Sequence, residues 1–186
     1  GEFSLWPIQA KALQEAHDHR RLFAPIPVGH GKAFISLLIP VITEAKRPVL
    51  FVPAALREQT EEHVIPSIRK HWKLHPLLTI LSYEQLSSVN FANILDQIRP
   101  DQISFDEVHK IKDPKAGRTK RILRYFEAHP ETECYAMSGS ILNRSLQDYW
   151  HIMQMTHKED SVLPLAWHTM TAWCEALDAR VQSRRR

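Results

Sequence analysis

Glycine and cysteine are scarce in this 186-residue chain, and long apolar runs are missing. Two cysteines, Cys134 and Cys174, make neither a disulfide framework nor a metal site of their own, which points to a reducing compartment, cytoplasmic or nuclear. The longest apolar stretch, around Phe34 to Ile42, is broken by Ser36 and Pro40 and is too short to span a bilayer, so no membrane partner is expected. The N-terminus has none of the regions of a signal peptide, and Gly1-Glu2-Phe3 reads as a cloning remnant. Neither sign of charge is in large excess. The formal net charge of +3 is too small to prove a nucleic-acid partner. What is present, 44% hydrophobic and 24% charged residues, excludes intrinsic disorder and gives room for one domain with its own core.

Of the five glycines, Gly29 and Gly31 lie two apart in one loop, while Gly117 and Gly139 stand alone. A chain this sparing uses glycine where the backbone needs positive φ or must approach something closely. The apolar pattern predicts a helix over residues 5–21, with Ile8, Ala12, Leu13 and Ala16 on one stripe and Pro7 in its first turn. An extended run, residues 22–26, then leads into the loop Pro27-Val28-Gly29-His30-Gly31-Lys32. Residues 33–45 have helical length, with Pro40 ending or kinking the helix. Val49 to Val52 is a short unalternating strand of the kind buried on both faces of a parallel sheet. A helix over 54–70, a strand at 77–81 and mostly helix over 83–98 follow. The strand 102–105 ends at Asp106-Glu107, a helix ends near His129, and a last strand spans 133–137 before helices rich in Trp and Met over 145–182. Strands alternating with helices predict an α/β domain with a mainly parallel sheet, whose ligands bind at the carboxyl ends of the strands. The glycine loop and the acid pair both fall there.

A glycine loop between a strand and a helix aims backbone N–H groups at an anion, and the helix dipole adds about half a positive charge. Lys32 would reach the β- and γ-phosphates of a nucleotide. Alone, Gly-x-Gly-Lys is equally a tight turn with an exposed lysine. The pair Asp106-Glu107 weighs against that bland reading. Phosphoryl transfer to water needs one carboxylate for Mg²⁺ and a second group to orient the water, and an acid pair at a strand end provides both.

Six short motifs in the correct order resemble the first RecA-like lobe of a superfamily-2 helicase, most closely the Swi/Snf-type translocases. Leu5-Trp6-Pro7-Ile8-Gln9 resembles the upstream glutamine motif, and residues 26–33 resemble motif I. Residues 52–59 resemble motif Ia, and Leu81-Ser82-Tyr83-Glu84-Gln85-Leu86 resembles motif Ib. Residues 106–115 resemble motif II with the Swi/Snf-type extension, and residues 137–144 resemble motif III. The match runs from about residue 5 to 153, within a lobe expected over 5–156, preceded by a lead-in at 1–4 and followed by a helical segment and basic tail at 157–186. The resemblance implies a three-layer RecA-like fold that takes ATP and Mg²⁺. It places Gln9 at adenine, Val28, Gly29, His30, Gly31, Lys32 and Ala33 around the phosphates, Asp106 at Mg²⁺, and Glu107 at the attacking water. It implies a DNA track, duplex rather than RNA, along Pro53, Gln59, Ser82, Tyr83, Lys112 and Lys115. His109, Ser138, Gly139 and Ser140 would couple the nucleotide to that track.

Two departures qualify what the resemblance implies. The family has Thr or Ser at the position of Ala33, and that hydroxyl is a direct Mg²⁺ ligand. Ser36, nearly one helical turn on, is not placed to replace it, although water can complete the shell. The motifs of the second RecA-like lobe are absent, and with them the arginine finger, worth roughly 10³–10⁵ in rate in phosphate-loop enzymes. The chain alone is therefore expected to be a poor ATPase that needs a second lobe. The alternative reading is an inactive module that binds DNA or a partner protein. Seven basic groups between Lys110 and Arg124, against Asp113 alone, are either a phosphate-tracking surface or a solvated helix face. His71 and His75 lack the glutamate of a zinc motif. Trp150, Trp167 and Trp173 read as core packing before they read as a partner-binding face.

Overall fold

The computed structural model describes residues 4–139 and 145–177. Its elements begin with α1 (Pro7–His19), β1 (Leu22–Ala24), α2 (Lys32–Ile42) and β2 (Pro48–Val52). A long helical segment follows, made of α3 (Ala54–Gln59), a π turn (Thr60–Val64) and α4 (Ile65–Arg69). Then come β3 (Thr79–Ser82), α5 (Tyr83–Ser87), α6 (Ile94–Ile98), β4 (Gln102–Asp106), α7 (Gly117–Ala128), β5 (Glu133–Met137), α8 (Trp150–His157) and α9 (Trp167–Leu177). Short 3₁₀ turns include Val108–Ile111 after β4 and Leu146–Tyr149 before α8.

The five strands form one sheet in the order β1-β5-β4-β2-β3, with every neighbouring pair parallel. Such a sheet is stable only when helices cover both faces, and β2 and β4 are buried along their whole length. Alternation along β2 divides the core. Val49 and Phe51 pack with Ile103, Phe105 and residues of α5, α7 and α8. Leu50 and Val52 face the other way, onto Leu37 of α2 and Val64, Ile65 and Ile68 of the long helical segment. Phe51, Tyr83 and Phe105 stack within the first layer, the closest centroids 5.5 Å apart. Deleting the fully buried Phe105 ring would cost about 3–5 kcal/mol. The all-parallel sheet with helices on both faces is compatible with a RecA-like layout.

Pro40 does not stop α2 at once. The helix carries it in its last turn and ends two residues later, where Thr43 caps it by donating from N and Oγ1 to Ile39 O at 3.0 and 2.8 Å. Among the described residues, no helix is long and apolar enough to cross a membrane.

The register sets the carboxyl ends of three strands side by side. Ala24 of β1 is opposite Met137 of β5, and Met137 is opposite Asp106 of β4. At about 4.8 Å per strand, the loop after β1 and the acids after β4 lie about 10 Å apart, with the residues after β5 between them.

Candidate functional site

The loop after β1 turns on two glycines held at φ +86° and +79°, a region that side-chain-bearing residues rarely adopt. Gly31 is also the N-cap of α2, and a Cβ there would collide with the Gln9 side-chain amide. Lys32, in the first turn of α2, is buried. Its Nζ donates to Ile26 O at 3.2 Å and pairs with Glu107 Oε1 at 3.1 Å. The lysine thus closes the loop onto the acid strand.

Asp106 ends β4, and its carbonyl accepts the Tyr83 hydroxyl at 2.8 Å. Glu107 then reverses the chain in the left-handed region, φ 59° and ψ 54°, at a cost of about 1–2 kcal/mol for a non-glycine residue. This strained backbone aims the Glu107 carboxylate back toward Lys32. Ser138 Oγ donates to Glu107 Oε2 at 3.2 Å, and His109 Nδ1 lies 3.0 Å from Ser138 Oγ and 3.2 Å from Glu107 Oε2. With the serine hydroxyl donating to the carboxylate, the serine oxygen is left to accept from the imidazole. Gly139 completes the close packing. A Cβ there would stand 3.2 Å from Val28 N and 3.3 Å from both Ile26 O and Lys32 Nζ.

The two acids have opposite electrostatics. Burial raises the Asp106 pKa from 3.8 to about 6, the Glu107 charge adds to that, and Lys32 only partly offsets it. Asp106 Oδ1 is buried with no hydrogen-bond partner among the described residues. Burial also works against the Glu107 anion, but the bond and charge of Lys32, with help from His109 and Ser138, outweigh it and hold the pKa below its ordinary value. One carboxylate is therefore firmly ionised and paired, while its neighbour is costly to charge and one oxygen short of a partner. Groups perturbed in this way concentrate at functional sites.

A cleft of about 350 Å³ opens over these groups. It is lined by Val28, Gly29, Gly31, Lys32 and Ala33 from the loop and the start of α2, by Asp106 and Glu107 at the end of β4, and by Leu56, Gln59, Thr60 and Val64 of the long helical segment. Of that lining, Gln59 was an expected site residue, whereas Leu56, Thr60 and Val64 were not. The spacing of Leu56, Thr60 and Val64, four residues apart, puts them on one helical face and is the signal that could have found them.

Several expected site residues are engaged by the rest of the chain or buried. Gln9 is turned into the chain: its Oε1 accepts from Trp6 N at 3.0 Å, and its Nε2 donates to His30 O at 3.4 Å. It braces the loop from behind. Val28 and His30 are exposed, and the His30 ring meets Trp6 edge-on at 6.4 Å. Tyr83 is fully buried and held by Asp106, so it offers no surface to a nucleic acid. Ser82 is buried too, with its hydroxyl accepting from Gln85 N at 3.1 Å as the cap of α5. Pro53 is buried at the start of α3, and Gln59 is exposed at the cleft. Lys112 is half-buried and Lys115 exposed. Of the other basic groups, Arg121 binds Leu86 O and Ser88 O, while Arg124 makes a solvent-exposed pair with Asp96 at 3.6 Å. Ser140 lies outside the described residues, as do residues 141–144 and the tail from 178.

Away from the cleft, Met153, Met155 and Met170 are buried, as core packing requires. Trp167 and Trp173 keep 51% and 42% of their surface exposed, so these two are only partly core. Among the described residues, no group of three or more His, Cys, Asp or Glu could hold a metal by itself. Compared with known proteins, the chain matches no family model and no curated protein.

Proposed function

We propose that the chain is the N-terminal, ATP-binding lobe of an ATP-dependent helicase or DNA translocase of the Swi/Snf-like kind, incomplete without a second RecA-like lobe. The observation that carries this reading is the convergence of Lys32, Asp106 and Glu107 on one cleft, beneath two glycines in the left-handed region at the N-terminus of α2. The donor set suits a nucleotide with Mg²⁺, which keeps several waters and takes one or two carboxylates besides the phosphates. The unpartnered Asp106 Oδ1 is the natural protein oxygen for it. When bound, Mg²⁺ neutralises phosphate charge.

The chain's own residues do the rest. Lys32 exchanges Glu107 for phosphate oxygens. Glu107, freed on that side, accepts a hydrogen bond from the water that attacks. Ser138 and His109 hold its other oxygen, so the position of the Glu107 carboxylate is tied to the segment after β5. Gly139, packed against the loop, senses the same movement. DNA would run along the surface carrying Lys112 and Lys115, and the second lobe would close the cleft.

Ala33 favours a second reading, a module that has lost its nucleotide and keeps a DNA- or protein-binding surface, because the usual hydroxyl is missing from the cleft wall. Calorimetry of ATP binding, with and without Mg²⁺, separates the two. The first reading expects Mg²⁺-dependent binding that Lys32→Ala abolishes. Binding by Ala33→Thr alone would establish the second.

A further inference from the structure

A second cavity, of about 400 Å³, is larger than the cleft of about 350 Å³ that holds Lys32 and Asp106. Its apolar lining joins three parts of the chain: Leu5 and Leu13 in and just before α1, Leu38, Val41 and Ile42 of α2, and Trp72 after α4. Trp72 is held in place, since its N–H donates to Ile68 O at 2.9 Å and its ring meets Phe34 edge-on at 5.4 Å. Leu5, Ile42 and Trp72 pack against the same core cluster as Leu13 and Leu38, yet they are only partly buried. A ligand in the cavity would take that apolar surface out of water. Water itself gains little there, because it needs several polar partners and these side chains supply none.

The polar members of the lining are Gln14, His17 and Lys73, with no acid among them. His17 Nδ1 is engaged with Asp18 Oδ1 at 2.9 Å. Lys73 is exposed, and its ammonium has no hydrogen bond or ion pair among the described residues. The cavity therefore combines an apolar body with one unspent positive charge. Both its volume and its few polar groups are those of a small-molecule site. A partner helix, about 10–12 Å across, is too wide for it.

We infer that this cavity binds a small amphipathic anion, with an aliphatic chain seated among Leu13, Leu38 and Trp72 and a carboxylate at Lys73. The inference goes beyond the nucleotide reading and does not depend on it. Leu38 to Ile42 lie about 9–15 Å along α2 from Lys32, at the other end of the helix.

Calorimetry on the whole chain tests the site, with dodecanoate below its micelle concentration as the probe. Dodecyltrimethylammonium serves as the cation of the same chain length. Saturable binding of dodecanoate, one per chain, is expected, with the cation bound roughly 10-fold more weakly. Lys73→Glu should lose or reverse that preference. Val41→Trp fills the cavity and should abolish binding of both probes. Melts followed by circular dichroism select variants that fold, and Lys73→Glu, at an exposed position, keeps the test open if Val41→Trp does not. No saturable binding of dodecanoate overturns the inference, and so does equal affinity for the two probes. An unchanged preference in Lys73→Glu, or undiminished binding in folded Val41→Trp, overturns it as well.

Discussion

At the amino ends of the strands, the Asp101 carboxylate accepts from the backbone N–H groups of Lys46 and Arg47, both at 2.7 Å. Nearby, Glu133 takes the Arg20 guanidinium and the Tyr135 hydroxyl at 2.7 Å each, and Gln102 donates to Thr43 at 2.9 Å. At the carboxyl ends, Asp106 has a buried oxygen without a partner, Glu107 sits in a strained backbone region, and Lys32 is held by the one acid that phosphate would displace. The first edge is not perfect, since Gln102 Oε1 also lacks a partner, but that group is neutral and cheaper to bury than a carboxylate. The difference teaches where the fold is stitched and where it stores a cost. The carboxylates of Asp101 and Glu133 at the amino edge are satisfied by the chain itself, whereas that of Asp106 at the carboxyl edge is satisfied only in part, and the remainder is what a ligand can use.

The largest effect that sharpens this contrast is on Asp106. Its pKa rises from 3.8 to about 6 on folding, so the folded state holds the proton more tightly than the unfolded chain. Stability therefore declines as pH rises from about 4 to about 6 and stays lower above that range, by up to about 3 kcal/mol. Asp106→Asn removes the decline: melts near pH 8 should show a stabilised protein, with nucleotide function lost. No stabilisation would mean that the carboxyl edge stores no such cost. Asp101→Ala acts in the opposite sense. Losing two charge-assisted bonds costs about 2 kcal/mol, a fall in Tm of roughly 4–8 °C, with ATP affinity unchanged. Gly139→Ala crowds the loop from the β5 side, and overpacking of that kind costs about 1 kcal/mol or slightly more. Calorimetry should show weaker ATP binding, accompanied by a fall in Tm of roughly 2–4 °C. Smallest is Arg20→Ala. Its side chain is 48% exposed, and removing the pair with Glu133 should cost less than about 1 kcal/mol in urea unfolding.

The sequence carried the strands well for a physical reason. Runs such as Val49–Val52 are buried on both faces, so they show as unbroken apolar stretches. The scarcity of glycine marked Gly29, Gly31 and Gly139, each of which has a backbone or close-packing reason to lack a side chain. Less was legible where a side chain could turn either way. Gln9 and Tyr83 carry polar groups that composition leaves free for a ligand, yet both are engaged by neighbours distant in sequence or within their own helix start. The π turn at Thr60 was invisible because nothing in Gln59-Thr60-Glu61 distinguishes it from an ordinary helix, and its place in the cleft lining depends on how the long segment packs on β2 and β3. The left-handed Glu107 belongs to the same class, since only the cluster around Lys32 and Ser138 over-determines it.

The division between the two edges is tested most directly by amide hydrogen exchange followed by mass spectrometry, with and without ATP and Mg²⁺. Added protection is predicted in residues 26–36 and 104–111, and in the π turn at 60–64, with no change around 43–48 and 99–102. Protection confined to the amino edge, or no protection in the loop carrying Gly29 and Gly31, would contradict the assignment of the carboxyl edge as the nucleotide site.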